Sequence, residues 1–196
     1  HTFICKLLTN LSQLGLVHKY ESISINLPTR YALNPKSRSY LHTSGLVRYK
    51  SDVNRVWWEQ GYSDTFREKW GILADYYMNL KASDPSLRFW TKVDLRGFVG
   101  LIKPAPDAYL IHKSKRYFLE LLTTTSNRVI RARVQQYITY FEEGTWQESV
   151  STDFPTVVII CPTKSLANKL KKYLYEEIIP EPDLHFIVSS DRTLPM

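Results

Sequence analysis

Alternating apolar and polar positions predict a β-hairpin near the middle of the chain. Two segments, 106–112 and 117–122, are rich in apolar, β-branched and aromatic residues, and a polar, turn-like stretch joins them. With a period of two, Glu120 shares one face of the second strand with the apolar Phe118. An ionised carboxylate among apolar neighbours needs a cation, a metal ion or hydrogen-bond donors. We therefore predict that Glu120 is buried against a basic residue or a metal ion, with Asp107 on the paired strand as its companion.

Helical and strand patterns alternate around this hairpin. Ser63 and Asp64 cap a predicted helix that ends near Ser83, and a second helix follows Ser126. The predicted buried stripes are Phe66, Trp70, Leu73, Tyr77 and Leu80 in the first helix, and Ile130, Val134, Tyr137, Ile138 and Phe141 in the second. A continuous apolar strand at 154–161, a lysine-rich helix at 164–178 and a last strand at 184–188 complete the pattern. This alternation predicts an α/β sheet with helical cover, in a chain that is α+β overall.

The first 45 residues have a different pattern. A helix is predicted from 2 to 14, with one buried face made of Phe3, Ile4, Leu7, Leu8, Leu11 and Leu14. Gly15 ends it, and two short strands at 18–25 and 29–33 follow, before a short helix that ends near residue 41. This order is that of a winged helix-turn-helix. The alternative is a helix-hairpin unit that packs without touching DNA. We place the domain boundary near residue 45, which gives domains 1–45 and 46–196.

Charge favours a polyanionic partner. Lys and Arg number 26 against 19 Asp and Glu, so the formal net charge is +7, which suits nucleic acid or an acidic membrane surface. No apolar run is long enough to span a bilayer, and Cys5 and Cys161 are far apart without metal-ligand spacing. We expect a cytoplasmic protein that binds double-stranded DNA and no membrane. The chain begins inside an amphipathic pattern, from which we expect further elements upstream.

The two acids of the hairpin resemble a pair found in a known fold. A Pro-Asp that opens one strand and a Glu near the end of the next resemble the PD-(D/E)xK nuclease-like fold, in which the two carboxylates share a divalent metal ion. The resemblance implies that Asp107 and Glu120 would hold Mg²⁺ if the protein is active. Leu122 stands where that family usually has the lysine that helps to activate water. Gln136 and Tyr140 are four residues apart, as in the Gln-x-x-x-Tyr helix motif of some nuclease-like families.

Motifs along nearly the whole chain resemble one family in particular. Leu-Gly-Leu-Val, Tyr-Ala-Leu-Asn-Pro-Lys, Pro-Asp-Ala-Tyr-Leu, Phe-Leu-Glu-Leu-Leu-Thr-Thr-Thr and Phe-Pro-Thr-Val-Val-Ile-Ile-Cys-Pro-Thr, with an arginine-rich helix, are similar to the replication-relaxation proteins of plasmids and mobile elements. That resemblance implies a winged helix, a nuclease-like mixed sheet flanked by helices, and a role in replication or DNA relaxation. This sequence departs from the family at Leu122, and at Arg133, where a helix lysine is common.

These departures set the order of the functional hypotheses. We expect a DNA-binding protein whose nuclease-like domain has lost catalysis and requires no cofactor. The alternatives are an active Mg²⁺-dependent endonuclease or nickase, in which Lys103, Lys113 or Arg133 replaces the lysine, and a protein-interaction module. The candidate catalytic residues are Asp107, Glu120, Arg133 and Gln136. The candidate DNA-binding residues are Lys6, Asn10, Gln13, Arg30, Lys36, Arg128 and Arg131. The sequence leaves open a homo-oligomer and contacts with replication or relaxation proteins.

Overall fold

The computed structural model describes residues 2–20, 29–45, 53–54, 63–123, 125–178 and 181–191. The chain forms two compact units, His1–Glu68 and Lys69–Met196. They divide within a helix, whereas the sequence places the domain boundary near residue 45. Because most of 46–62 lies outside the described residues, that boundary stays a prediction.

The first unit contains a helix followed by a hairpin and a second helix. Its elements are α1 (Thr2–Gln13), β1 (Val17–Tyr20), β2 (Arg30–Leu33) and α2 (Pro35–Thr43), and the two strands pair antiparallel. Gly15 ends α1 in the left-handed conformation, with φ +69°, as the sequence predicts. Asn34 caps α2 by accepting a hydrogen bond from the backbone N–H of Lys36 at 3.3 Å. The hairpin tip at 21–28 lies outside the described residues, so the winged-helix assignment stays a prediction.

The predicted buried face of α1 is largely exposed. Phe3, Ile4, Leu7 and Leu14 have exposed fractions of 77%, 61%, 46% and 59%, so their predicted burial is wrong. A strand of four residues, β1, follows the helix closely and is too short to cover all of its turns.

The second unit is built on a five-stranded mixed sheet. Its strands are β3 (Arg88–Thr91), β4 (Ala108–His112), β5 (Lys115–Leu121), β6 (Thr156–Ile160) and β7 (Phe186–Ser189), and their order in the sheet is their order in the chain. The pairs β3–β4 and β4–β5 are antiparallel, while β5–β6 and β6–β7 are parallel. The helices are α3 (Asp64–Ser83), α4 (Asn127–Glu142), α5 (Thr145–Val150) and α6 (Lys164–Glu176). The expected mixed sheet with flanking helices is therefore present.

The predicted hairpin consists of β4 and β5. Lys113 and Ser114 form its two-residue turn with φ of 46° and 66°, values that suit the right-handed twist of paired strands. The Asp84 carboxylate fixes this turn by accepting the backbone N–H of Lys113 at 2.9 Å. Hydrogen bonds from the Ser86 hydroxyl and from that N–H lower the pKa of Asp84 to about 2.

Both faces of the sheet are covered. On one face, Phe118, Val157 and Ile159 belong to a core shared with α4, α5 and α6. On the other face, Leu119, Val158 and their neighbours pack with the buried residues of α3. The alternation predicted for the second hairpin strand is confirmed.

The predicted buried faces of α3 and α4 each include one residue that is less buried than its neighbour in the chain. In α3, Tyr76 is 1% exposed and Tyr77 is 38% exposed, because Leu73, Tyr76 and Leu80 lie on the helical row that meets the sheet. In α4, Tyr140 is buried and Phe141 is half-buried.

Candidate functional site

The two predicted acids lie opposite each other at one edge of the sheet. The antiparallel register pairs Ala108 with Leu119, and one further step places Asp107 opposite Glu120. The chain leaves β5 at this edge and enters the antiparallel β4 there. Like charges directly opposite each other on paired strands are destabilising, so this arrangement requires compensating charge.

Asp107 is compensated by a lysine that the sequence analysis missed. Lys69 Nζ lies 3.1 Å and 2.9 Å from the two carboxylate oxygens of Asp107, and the backbone N–H of Leu121 donates to Oδ2 at 2.8 Å. Lys69 is on α3, four residues before Leu73, on the same row as the buried residues of that helix. Its position in the first turns of α3, on a row whose later residues are apolar and buried, was the feature of the sequence that could have indicated this contact.

Glu120 is compensated from the opposite helical layer. Its Oε1 accepts hydrogen bonds from Arg133 Nε at 3.0 Å, from Arg133 Nη2, and from the Tyr137 hydroxyl at 2.6 Å. The prediction that Glu120 is buried against a basic residue is confirmed, since its side chain is 9% exposed. The Arg133 side chain is only 11% exposed, because it turns onto the carboxylate.

The surroundings perturb the protonation of this cluster. Burial raises the pKa of Glu120 above its ordinary value, the Arg133 guanidinium opposes that shift, and the charge of Asp107 adds to it. Burial also raises the pKa of Tyr137 well above its usual value, so the hydroxyl stays protonated and donates to Glu120. Gln136 supports Arg133 by accepting a hydrogen bond from Nη1 at 3.0 Å. The four candidate catalytic residues therefore lie together.

An open cleft of about 640 Å³ lies over the acid pair. Its charged lining residues are Lys69, Lys92, Arg128, Arg133, Asp107 and Glu120. In the part of the chain that the structure describes, no hydrogen bond or ion pair engages the side chains of Lys92 and Arg128. Arg128 stands in the first turn of α4, which has no acidic residue to complement the positive end of the helix dipole. This end of the cleft can therefore attract an anion.

Of the candidate DNA-binding residues in the second unit, Arg128 lines the cleft and Arg131 does not. Arg131 makes a two-pronged ion pair with Glu177, with both N–O distances 2.9 Å, and its guanidinium stacks on Tyr173 at 4.2 Å. Lys36 donates to the backbone oxygen of Leu14 at 3.1 Å. The others lie in the first unit: Lys6, Asn10 and Gln13 are exposed on α1, and Arg30 lies in β2, its side chain outside the described part. A role of these residues in binding DNA stays a prediction.

Comparisons with known proteins assign no family. Neither a protein-family model, nor a curated protein, nor a solved structure matches this chain. Within the described ranges, no helix combines the length and the apolar character needed to cross a bilayer.

The acid pair as placed does not fit a divalent metal ion. Mg²⁺ is held by several converging oxygens, whereas both oxygens of Asp107 contact Lys69, and Oε1 of Glu120 accepts from Arg133 and Tyr137. Among the described residues, no group of three or more His, Cys, Asp or Glu side chains is placed to hold a metal. A metal ion would first have to displace the two cations.

Proposed function

We propose that this chain is a DNA-binding protein of the replication-relaxation type, and that its nuclease-like unit grips DNA without cleaving it. The observation that carries the proposal is the pairing of each acid with a cation of the same chain. Lys69 neutralises Asp107 through both carboxylate oxygens, and Arg133 neutralises Glu120 through Oε1.

Electrostatics at the cleft support a phosphate ligand. Once the two acids are paired, Lys92 and Arg128 remain as uncompensated positive charges on the lining. The backbone N–H of Lys92 donates to the backbone oxygen of Asp107 at 2.9 Å, so this lysine is anchored beside the acid pair. A phosphodiester here would meet two cations and the positive end of α4.

The first unit supports a second DNA contact. A helix followed by an antiparallel hairpin is the order expected of a winged helix, and the polar row of Lys6, Asn10 and Gln13 is exposed on that helix. Together with the cleft, this arrangement supports a role in plasmid or mobile-element replication or DNA relaxation.

Salt-dependent binding to a short duplex, followed by fluorescence anisotropy, tests the proposal. Affinity should fall with salt, and Lys92→Ala/Arg128→Ala should reduce the log–log slope by about 1, because both cations meet one phosphate and each neutralised phosphate contributes roughly 0.9. Lys164→Ala/Lys171→Ala is the matched control, because it removes two exposed lysines of α6 outside the cleft. An equal loss in both variants would show that general charge, not the cleft, binds DNA. Absence of binding at low salt would favour a protein-interaction module.

Metal-dependent cleavage is the second candidate, because the four candidate catalytic residues lie in one cleft. Supercoiled DNA incubated with Mg²⁺ or Mn²⁺ should remain intact. Nicking that disappears in both Asp107→Asn and Glu120→Gln, at equal purity, would establish the nuclease instead.

A further inference from the structure

A second groove of about 700 Å³ adjoins the acid-pair cleft. The two share Ala132 and Gln136 of α4, so they meet along one face of that helix. Residues 100–103 form the opposite wall of this second groove, and Thr145 also lines it.

Packing holds that wall in place. The Tyr140 hydroxyl donates to the backbone oxygen of Gly100 at 2.7 Å. Gly100 has a φ of +80°, and a Cβ at this position would lie 2.2 Å from the Ser149 hydroxyl oxygen of α5. The positive φ and this close contact both favour glycine at position 100, where the backbone forms the wall of the groove.

The lining of the second groove differs chemically from that of the cleft. Gln135, Gln136 and Thr139 expose amide and hydroxyl groups along α4, while Lys103 and Glu143 offset each other in charge. The cleft keeps an excess of positive charge, whereas the groove is neutral and rich in hydrogen-bond donors and acceptors. Gln136 accepts from Arg133 through its oxygen, which leaves its amide N–H groups for a ligand.

We propose that the cleft and the groove together bind one nucleotide, with its phosphate at Lys92 and Arg128 and its base, unstacked from its neighbours, against the glutamines of α4. This inference rests on the proposed function and adds a base site to it. Amide side chains pair with base edges, and a neutral groove suits a base but not a second phosphate. The small Ala132 side chain at the junction leaves room for the sugar.

Duplexes that carry 2-aminopurine test the base site. A central mismatch lowers the free-energy cost of unstacking a base and determines which base enters the groove. Wild-type protein should therefore bind a mismatched duplex at least about tenfold more tightly than a matched one. Fluorescence of 2-aminopurine at the mismatch should rise on binding. Thr139→Phe should fill the groove and abolish both the preference for the mismatched duplex and the fluorescence rise. Its affinity for the matched duplex should stay within about twofold of wild type, because the phosphate contacts are intact. Glu142→Phe adds the same ring to exposed α4 outside the groove and should behave as wild type.

The outcomes separate this inference from the proposed function. Salt-dependent binding without a fluorescence rise, or an equal rise in Thr139→Phe, would overturn the base site and leave DNA binding standing. Absence of DNA binding would overturn both. A free deoxynucleoside monophosphate and a single-stranded oligonucleotide can each be tested as competitors. If both compete at the same concentration, the ligand is a mononucleotide rather than a DNA strand.

Discussion

Replacing Arg133 with methionine should be the most destabilising single change at the acid pair. The Arg133 and Glu120 side chains are 11% and 9% exposed, so the variant would leave a carboxylate buried opposite Asp107 without a cation. Removing one partner of a buried ion pair costs about 3–5 kcal/mol. With an m-value of about 2 kcal/mol/M, the urea midpoint should fall by about 2 M.

The penalty should depend on pH in a defined direction. Burial and the Asp107 charge raise the pKa of Glu120, and loss of Arg133 removes the charge that opposes them. A carboxyl group whose pKa is raised in the folded state favours folding below its unfolded pKa and loses that contribution as pH rises. The stability deficit of Arg133→Met should therefore be largest at neutral pH and shrink as pH falls toward the ordinary range of a glutamate.

Arg131→Met provides a matched control two residues away on the same helix. Its ion pair with Glu177 is about half exposed, with side-chain exposures of 49% and 51%, so solvent screening limits its loss to about 1 kcal/mol. In Arg133→Met, adding Glu120→Gln should recover part of the stability, because it removes the uncompensated charge. Equal effects of Arg133→Met and Arg131→Met at neutral pH would refute the reasoning.

Three further predictions concern other parts of the second unit. Lys69→Ala should strengthen Mn²⁺ binding measured by calorimetry, because it removes the cation that contacts both oxygens of Asp107. Unchanged affinity would show that Lys69 does not block a metal. Asp84→Asn should flatten the loss of stability between about pH 4 and 2, since the pKa of about 2 gives this carboxylate a stabilising contribution that disappears as it protonates; an unchanged acid limb in urea titrations would contradict this. Gly100→Ala should lower the free energy of unfolding by at least about 2 kcal/mol. Adding Ser149→Gly should restore only part of this loss, because the backbone strain at φ +80° remains; full restoration would show that the contact with Ser149 alone matters.

The hairpin and the burial of Glu120 were predictable because both follow from local order. A period of two assigns each residue of a strand to a face. The register was not predicted, because the pattern suggested a turn at 113–116, whereas the structure has a two-residue turn at Lys113 and Ser114 that brings Asp107 opposite Glu120. A buried charge needs a compensating partner, but the local pattern does not indicate which part of the chain supplies it.

The partners were harder to predict because they depend on how helices pack. Lys69 lies 38 residues before Asp107 in the chain, and nothing near it in sequence indicates their contact. Arg131 and Arg133 look equivalent in the sequence, yet one pairs with exposed Glu177 and the other with buried Glu120. The rotation of α4 about its axis decides between them, and that rotation is fixed by the whole buried stripe.

The strand order of the sheet has a consequence for synthesis on the ribosome. Because the strands lie in the sheet in the order in which they occur in the chain, β3, β4 and β5 can pair before β6 and β7 have been made. Lys69 precedes this meander and Arg133 follows it. A nascent chain that ends after β5 therefore already carries the cation for Asp107 but lacks the one for Glu120, and the second carboxylate gains its partner only when α4 emerges and docks.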